Sequence, residues 1–449
     1  MQGQFPYGGP LLSQASNTTP RPLSASKNAS GQWQVGGCDL EQLAERFGTP
    51  LYVLDRSSLE RACQDYLAGL SDYPGPKEVF FASKALPVVA IDRLLHEMDL
   101  GIEASSGGEL FVAITAGVPG SRIQFNGNNK SLQELKEALD HGVGRFLVDG
   151  MGELTALSEL SKSYSFKPSV TLRVNPGIDA HTHDFIRTGQ VDSKFGFSDD
   201  QLEEAFGFLA NKDCPLDYRG LQGHIGSQIF EVEPFRLLAA FLFDKLQAAA
   251  GFGLETEELN LGGGLGISYL CEDNPPPIQA FVRKIASFVV EEAKNRALPL
   301  PRLVLEPGRS IVGTAGFTLY RVGNEKKVPG IRRYLMVDGG MPDNPRPITY
   351  GAQYLADLVS PRERGLDTER VTIAGKCCES GDILIEDAGL EACKDDLLIV
   401  WATGAYCFAM SSNYNRLPRP AMVLLENGRA ELIRRRETYD DLVRAEVGI

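Results

Sequence analysis

The sequence predicts an α/β protein with a (β/α)8 TIM-type barrel followed by a β-domain. Eight short apolar runs lie between residues 79 and 306, and amphipathic stretches separate them. Eight strands that alternate with helices over about 230 residues are enough to close a parallel barrel, whereas a doubly wound open sheet rarely reaches eight units. After Gly313, short β-rich runs alternate with Gly, Pro and Asp turns. This change predicts a β-sandwich or β-barrel domain.

The predicted elements follow in a regular order. A helix over 40–47 precedes a strand over 50–55, which we expect to join the β-domain. Barrel strands are predicted near 79–83, 101–104, 123–126, 145–148, 169–174, 220–225, 258–262 and 303–306. Helices are predicted near 87–98, 107–116, 131–141, 151–162, 199–210, 232–250 and 276–295. Strands of the β-domain are predicted over 317–322, 333–337, 371–374 and 397–401.

We therefore divide the chain into four parts: a tail over 1–36, a segment over 37–55 that packs with the β-domain, the barrel over 56–312 and the β-domain over 313–449. The tail is rich in Ser, Asn, Gly and Pro and has no acidic residue. This composition favours a disordered cytoplasmic tail. A plastid transit peptide is the alternative, although the tail has only two basic residues.

Charge and cysteine usage limit the classes of partner. Lys and Arg number 45 against 59 for Asp and Glu, so the net charge of −14 argues against a nucleic-acid partner. No apolar stretch reaches the ~18 residues of a membrane span. The eight cysteines include no Cys-x-x-Cys pair, which favours reduced cytoplasmic thiols. His181 and His183 form a His-x-His, but no third ligand accompanies them, and we expect no metal.

Polar or catalytic residue types stand at the ends of the predicted barrel strands, where barrel enzymes place their active sites. The candidates are Lys84, Ser105, Asn126, Asp149, Asn175, His224, the run Gly262-Gly263-Gly264 and Glu306. An amine, an imidazole, a glycine-rich loop and a carboxylate together suit pyridoxal phosphate. That cofactor needs a Schiff-base lysine, a partner for its ring nitrogen and backbone donors for its phosphate.

Each of these residues also has a structural interpretation. Lys84 could be a solvated strand end, and the glycine run could be a tight turn. His224 could be a hydrogen-bonded core histidine. Glu306 could form an ion pair with Arg309, since a buried carboxylate needs a cation. The combination of these residues favours a cofactor site over four separate structural roles.

The ordered motifs resemble the barrel-type (fold III) pyridoxal phosphate decarboxylases, and among them the diaminopimelate decarboxylases. The resemblance runs from about Leu40 to the C-terminus. It rests on motifs that include Phe81-Ala82-Ser83-Lys84-Ala85, Phe125-Asn126-Gly127-Asn128-Asn129-Lys130-Ser131, His224-Ile225-Gly226-Ser227-Gln228, Glu306-Pro307-Gly308-Arg309, Arg346-Pro347 with Tyr350, Cys378-Glu379-Ser380-Gly381-Asp382 and Gly404-Ala405-Tyr406. It implies an alanine racemase-like barrel that binds pyridoxal 5'-phosphate.

The resemblance also implies a role for each site residue. Lys84 holds the cofactor as a Schiff base, His224 stacks on its ring, and Glu306 pairs with the ring nitrogen. The phosphate is bound by Ser227, Gly263, Gly264 and the backbone groups of Gly308 and Arg309, with Tyr406 close to the cofactor.

The implied reaction converts meso-2,6-diaminopimelate to L-lysine and CO2, the last step of lysine biosynthesis. Cys378 is the implied general acid, and the family supplies Cys378 and Glu379 from the second subunit of a homodimer with shared active sites. The implied contacts to the distal end of the substrate are Arg309, Arg346, Tyr350 and Glu379, and Tyr406 is a further implied substrate-binding residue.

Four positions depart from the family pattern: Phe81, Leu86, Gln222 and Pro342. None of them removes a catalytic group, so they bear on the expected substrate preference and not on the reaction type. One alternative is a related decarboxylase that acts on another carboxylate-bearing amino acid in secondary metabolism. A non-catalytic cofactor-binding regulator is a second alternative, but binding alone would not require Cys378 and Tyr406.

Overall fold

The structure, a computed structural model, describes residues 15–178, 180, 193–360 and 370–448. Its central feature is a closed barrel of eight parallel strands, as predicted. The last barrel strand pairs with the first, with Leu305 opposite Val79, and this pairing closes the sheet. The strands are Lys77–Ala82, Gly101–Ala104, Ile123–Phe125, Arg145–Val148, Ser169–Val174, Asp217–Gly223, Glu258–Asn260 and Arg302–Leu305.

Helices surround the barrel and bury their apolar faces against it. Leu132–Asp140 is typical: the side chains of Ser131 and Glu134 cap its first turn reciprocally, and Leu135 and Leu139 are buried. The helices of this layer are Arg56–Gly69, Val89–Glu97, Gly107–Thr115, Leu132–Asp140, Met151–Ser161, Asp199–Leu209, Glu233–Gly251, Ile278–Asn295 and the short Arg309–Val312. Single 3-10 turns lie at Ser83–Ala85, Gly120–Arg122 and Tyr414–Arg416.

The β-domain includes a strand from before the barrel, also as predicted. Leu51–Asp55 is buried throughout and lies between Gly316–Val328, to which it is antiparallel, and Ala421–Glu426, to which it is parallel. The other strands are Arg332–Val337, Ala356–Leu358, Arg370–Ala374, Ile383–Gly389, Leu397–Val400 and Arg429–Arg434. Three further helices are Leu40–Phe47, Arg346–Tyr350 and Tyr439–Val443.

Residues 15–36 do not form the disordered tail that their composition predicted. They contribute Ser26–Lys27 and Trp33–Val35 to a three-stranded sheet completed by Cys38–Asp39. The Trp33 ring packs edge-on against Trp401 at 5.3 Å. The Asn17 side chain donates to the backbone carbonyls of Gly266 and Pro276, and Arg21 forms an ion pair with Asp357 at 2.8 Å, so a polar composition does not prevent ordered packing. Within the described ranges, no helix has the length and apolar character needed to cross a bilayer.

Candidate active site

A cavity of roughly 860 Å³ opens at the carboxyl ends of the barrel strands. The loops that follow these strands form its walls, and the β-domain contributes one side. Twelve of the candidate site residues named from the sequence line it: Lys84, Asn126, His224, Ser227, Gly263, Gly264, Glu306, Gly308, Arg309, Arg346, Tyr350 and Tyr406. The fold thus brings together residues that are up to 322 positions apart.

Lys84 follows the first barrel strand in a short 3-10 turn. The hydroxyl of Ser83 donates to the fully buried carboxyl of Asp92 at 3.1 Å, which fixes this turn against the neighbouring helix. The Lys84 side chain extends into the cavity. The nearby carboxylate of Glu103 raises the pKa of Lys84 against the opposing effect of burial. The site therefore holds an amine close to a carboxylate.

Glu306 follows the last barrel strand and is buried, with 5% of its surface exposed. Its oxygens accept hydrogen bonds from the side-chain amides of Gln124, Gln222 at 3.0 Å and Asn260 at 2.6 Å. Burial, followed by the charge of Glu103, raises the pKa of Glu306 to about 8. The amides orient the carboxyl without neutralising it, so a cationic ligand atom would stabilise its ionised form.

The ion pair between Glu306 and Arg309 that we considered as an alternative does not form. The Arg309 guanidinium donates instead to the hydroxyls of Ser227, at 3.0 Å, and Tyr269.

His224 presents a neutral imidazole to the cavity. Burial, with the charges of Lys84 and Arg173, lowers its pKa to about 3. The backbone passes close to the ring at Gly262, where φ is +65° and a Cβ would lie 2.9 Å from His224 Nδ1. Glycine is required at that position by both conformation and space. An uncharged flat ring is suited to stack on an aromatic ligand.

The remaining glycines expose backbone to the cavity. A Cβ on Gly263 would lie 2.2 Å from the Glu306 carbonyl oxygen, and one on Gly308 would lie 3.1 Å from Ala85 Cβ. The backbone at these glycines has no side chain in front of it, and together with the exposed Ser227 hydroxyl it is suited to bind an anionic group. The donor set therefore fits pyridoxal phosphate, with Lys84 for its aldehyde, Glu306 for its ring nitrogen and this wall for its phosphate.

Two guanidinium groups also face the cavity, and that of Arg309 contacts the Ser227 hydroxyl of the wall described above. Arg309 and Arg346 both line it, and neither makes an ion pair with a described carboxylate. Arg309 also lies over the Tyr406 ring at 4.9 Å. Tyr350 stands at the mouth of the cavity with 65% of its surface exposed. Two cations that lack a described anionic partner are suited to bind a carboxylate of a ligand.

Several cavity residues were missed in the sequence. Glu103 and Arg173 line the cavity, and Glu103 accepts a hydrogen bond at 2.6 Å from Asn126, which the strand ends had already identified. Gln124 and Asn260 contact Glu306. The available signal was a polar residue inside an otherwise apolar strand, because such a side chain must point into the barrel.

Cys378 and Glu379 lie outside the cavity wall. They are on an exposed turn after Arg370–Ala374, where the Cys378 amide donates to Asn415 Oδ1 at 2.8 Å. His181 and His183 lie outside the described residues. Among the described residues, no group of three or more His, Cys, Asp and Glu side chains could hold a metal ion.

Comparison with known proteins places these features in a family. Residues 56–313 match the family model described as pyridoxal-dependent decarboxylase, pyridoxal binding domain. A diaminopimelate decarboxylase of Synechocystis is 44% identical over 97% of this chain and 96% of its own length. A Bacillus subtilis enzyme of the same name is 44% identical over 94% of this chain and 97% of its own length. The crystal structure of a diaminopimelate decarboxylase from M. jannaschii in complex with L-lysine superposes with a TM-score of 0.89 at 32% identity and covers 97% of this chain and 99% of that chain.

Proposed function

The chain belongs to the pyridoxal-dependent decarboxylase family, and we propose that it converts meso-2,6-diaminopimelate to L-lysine and CO2. The observation that carries this substrate is the pair Arg309 and Arg346, which faces the same cavity as Lys84. A diamino diacid has one carboxylate to lose at the reacting carbon. Its second carboxylate, at the far end, can be bound by the two guanidiniums.

The residues of the cavity provide for each part of the cofactor. Lys84 would supply the amine that binds it, His224 would pack on its ring, and Ser227, Gly263 and Gly308 would hold its phosphate. Pyridoxal phosphate, when bound, withdraws the electron pair that remains on the substrate carbon as CO2 departs. Glu306 would keep the ring nitrogen protonated, because that charge would stabilise the buried carboxylate.

Selectivity follows from the cost of leaving the arginines unpaired. A substrate such as ornithine has no carboxylate at its far end. Arg346 is only 7% exposed, so little water could replace the missing partner. The loss of a charge-assisted contact to a buried cation costs roughly 1–3 kcal/mol, which amounts to about 10- to 100-fold in specificity at Arg346.

We assign protonation of the substrate carbon to Cys378, and propose that it acts in the cavity of a second copy of the chain within a homodimer. Two observations support this. Cys378 and Glu379 are exposed on a turn that does not line the cavity of their own chain. Ile348 packs near Gly381 of this turn, and the side chains of Ile348 and of Tyr350, two residues further along the chain, are exposed. A second copy would cover these side chains and bring Cys378 to a cavity.

A reducing compartment fits this assignment, and we propose the cytoplasm. Cys378 is a free thiol in the structure and must remain one to deliver a proton.

The test is CO2 release from cofactor-loaded protein that is offered meso-diaminopimelate, ornithine or arginine in separate reactions. We expect release from diaminopimelate with L-lysine as the product, and release at least about 100-fold slower from the other two. Equal rates with ornithine would refute the role of the arginine pair. No release from any of the three, with the visible absorption band of the lysine-bound cofactor present, would refute diaminopimelate as the substrate.

A further inference from the structure

Tyr269 lies behind the cavity wall and contacts both arginines. Its phenol oxygen accepts hydrogen bonds from Arg309 Nη1 and from Arg346 Nη1, the latter at 2.8 Å. The guanidinium carbons of Arg309 and Arg346 lie 5.7 Å and 5.0 Å from the centre of the Tyr269 ring. One buried side chain therefore fixes the spacing between two cations that would otherwise repel each other.

A second buried phenol completes this arrangement. Arg346 Nη1 also donates to the Tyr354 hydroxyl at 2.6 Å. The rings of Tyr269 and Tyr354 meet edge to face at 5.4 Å. Arg346 Nη1 is thus held by two phenol oxygens, which orient the guanidinium and leave its charge available to a ligand.

The position of Tyr269 depends on residues remote in the sequence. It lies in the long loop after the seventh barrel strand, where its backbone amide donates to Asp273 Oδ2 at 2.8 Å. The preceding amide, of Ser268, donates to the carbonyl of Asn17 at 3.0 Å. The fully buried Asn17 side chain donates to the Pro276 carbonyl at 2.9 Å. The N-terminal segment therefore anchors both sides of the loop that carries Tyr269.

We propose that Tyr269 is a positioning residue for substrate specificity, which sets Arg309 and Arg346 at the spacing that binds the carboxylate retained in the product. This inference rests on the proposed function for the identity of the substrate. Tyr269 does not itself line the cavity. Asn17 of the N-terminal segment would support the same role, because it anchors the loop that carries Tyr269.

The variant Tyr269→Phe keeps the ring and removes only the shared acceptor. We expect the KM for meso-diaminopimelate to rise about tenfold or more, since a hydrogen bond to a charged group is lost on each arginine, with kcat within about twofold. L-lysine and cadaverine serve as matched probes, because both are diamines and only L-lysine has a carboxylate. The variant should weaken inhibition by L-lysine about tenfold and leave inhibition by cadaverine unchanged.

Tyr73→Phe is the control, because Tyr73 is also buried and donates to a carbonyl, that of Pro301, away from the cavity. It should leave KM and both inhibition constants unchanged. Tyr354→Phe removes one acceptor from Arg346 alone, so it provides a second test if Tyr269→Phe folds poorly. An unchanged ratio of L-lysine to cadaverine inhibition in both variants would overturn the inference. Wild-type protein that does not decarboxylate diaminopimelate would instead refute the proposed function.

Discussion

The substitution Glu306→Gln tests whether burial raises the pKa of Glu306, so that a cation would be needed to stabilise its ionised form. In the cofactor-free protein, burial and Glu103 raise the pKa of Glu306 to about 8. The ordinary value for a glutamate in an unfolded chain is about 4.3. Between these two values the folded protein binds a proton that the unfolded chain does not. The contribution of this proton to the free energy of unfolding is therefore complete below about pH 4.3 and is lost as the pH rises towards 8.

The size of this effect follows from the shift in the pKa. A difference of nearly four pKa units at about 1.4 kcal/mol each gives on the order of 5 kcal/mol as an upper limit. Glutamine cannot ionise and retains most of the shape. We therefore expect wild type to lose stability relative to Glu306→Gln by several kcal/mol between pH 5 and pH 8.5.

Urea unfolding of the cofactor-free proteins at the two pH values measures this difference. Glu97→Gln, an exposed position, controls for the loss of one carboxylate. A difference between wild type and Glu306→Gln that changes by less than about 1 kcal/mol would refute the raised pKa. With the cofactor bound, wild type should be more stable than Glu306→Gln above pH 8. The ring nitrogen then stabilises the Glu306 carboxylate and has no such partner in the glutamine variant.

Three further substitutions test the proposed roles. Lys84→Ala should remove the visible absorption band of the lysine-bound cofactor and reduce turnover by orders of magnitude, and full activity would exclude the covalent role of Lys84. Cys378→Ala should keep that band and lower kcat about 100-fold or more, whereas normal turnover would exclude Cys378 as the acid. Mixing the two variants should restore activity in heterodimers if sites are shared, and no recovery in verified heterodimers would contradict sharing. Arg346→Ala should raise the KM for diaminopimelate about 30-fold or more while cofactor absorption stays unchanged, and an unchanged KM would remove Arg346 from substrate binding.

The barrel could be predicted from the sequence because its strands are apolar and its helices amphipathic. Each predicted barrel strand overlaps an observed one; the run near 79–83, for example, corresponds to Lys77–Ala82. The strand ends also identified Lys84, His224 and Glu306 as residues of one site, since parallel strands in a barrel end on the same face.

The missed features depend on contacts between distant parts of the chain. Tyr269 appears in the sequence as one tyrosine in a long loop, and its role depends on arginines 40 and 77 residues away. Asn17 is polar and lies in a segment of low complexity, yet its partners at Gly266 and Pro276 bury it completely. The local sequence predicts neither set of contacts, because the partners that satisfy a buried polar group need not be near it in the sequence.

The placement of Leu51–Asp55 has a consequence for biosynthesis. This buried strand needs Gly316–Val328 on one side and Ala421–Glu426 on the other. A ribosome that adds roughly 5–20 residues per second reaches the first partner tens of seconds after it has made the strand. During that interval a hydrophobic strand with two unpaired edges is exposed to other nascent chains. We therefore expect this segment to be the point at which newly made chains depend most on chaperones.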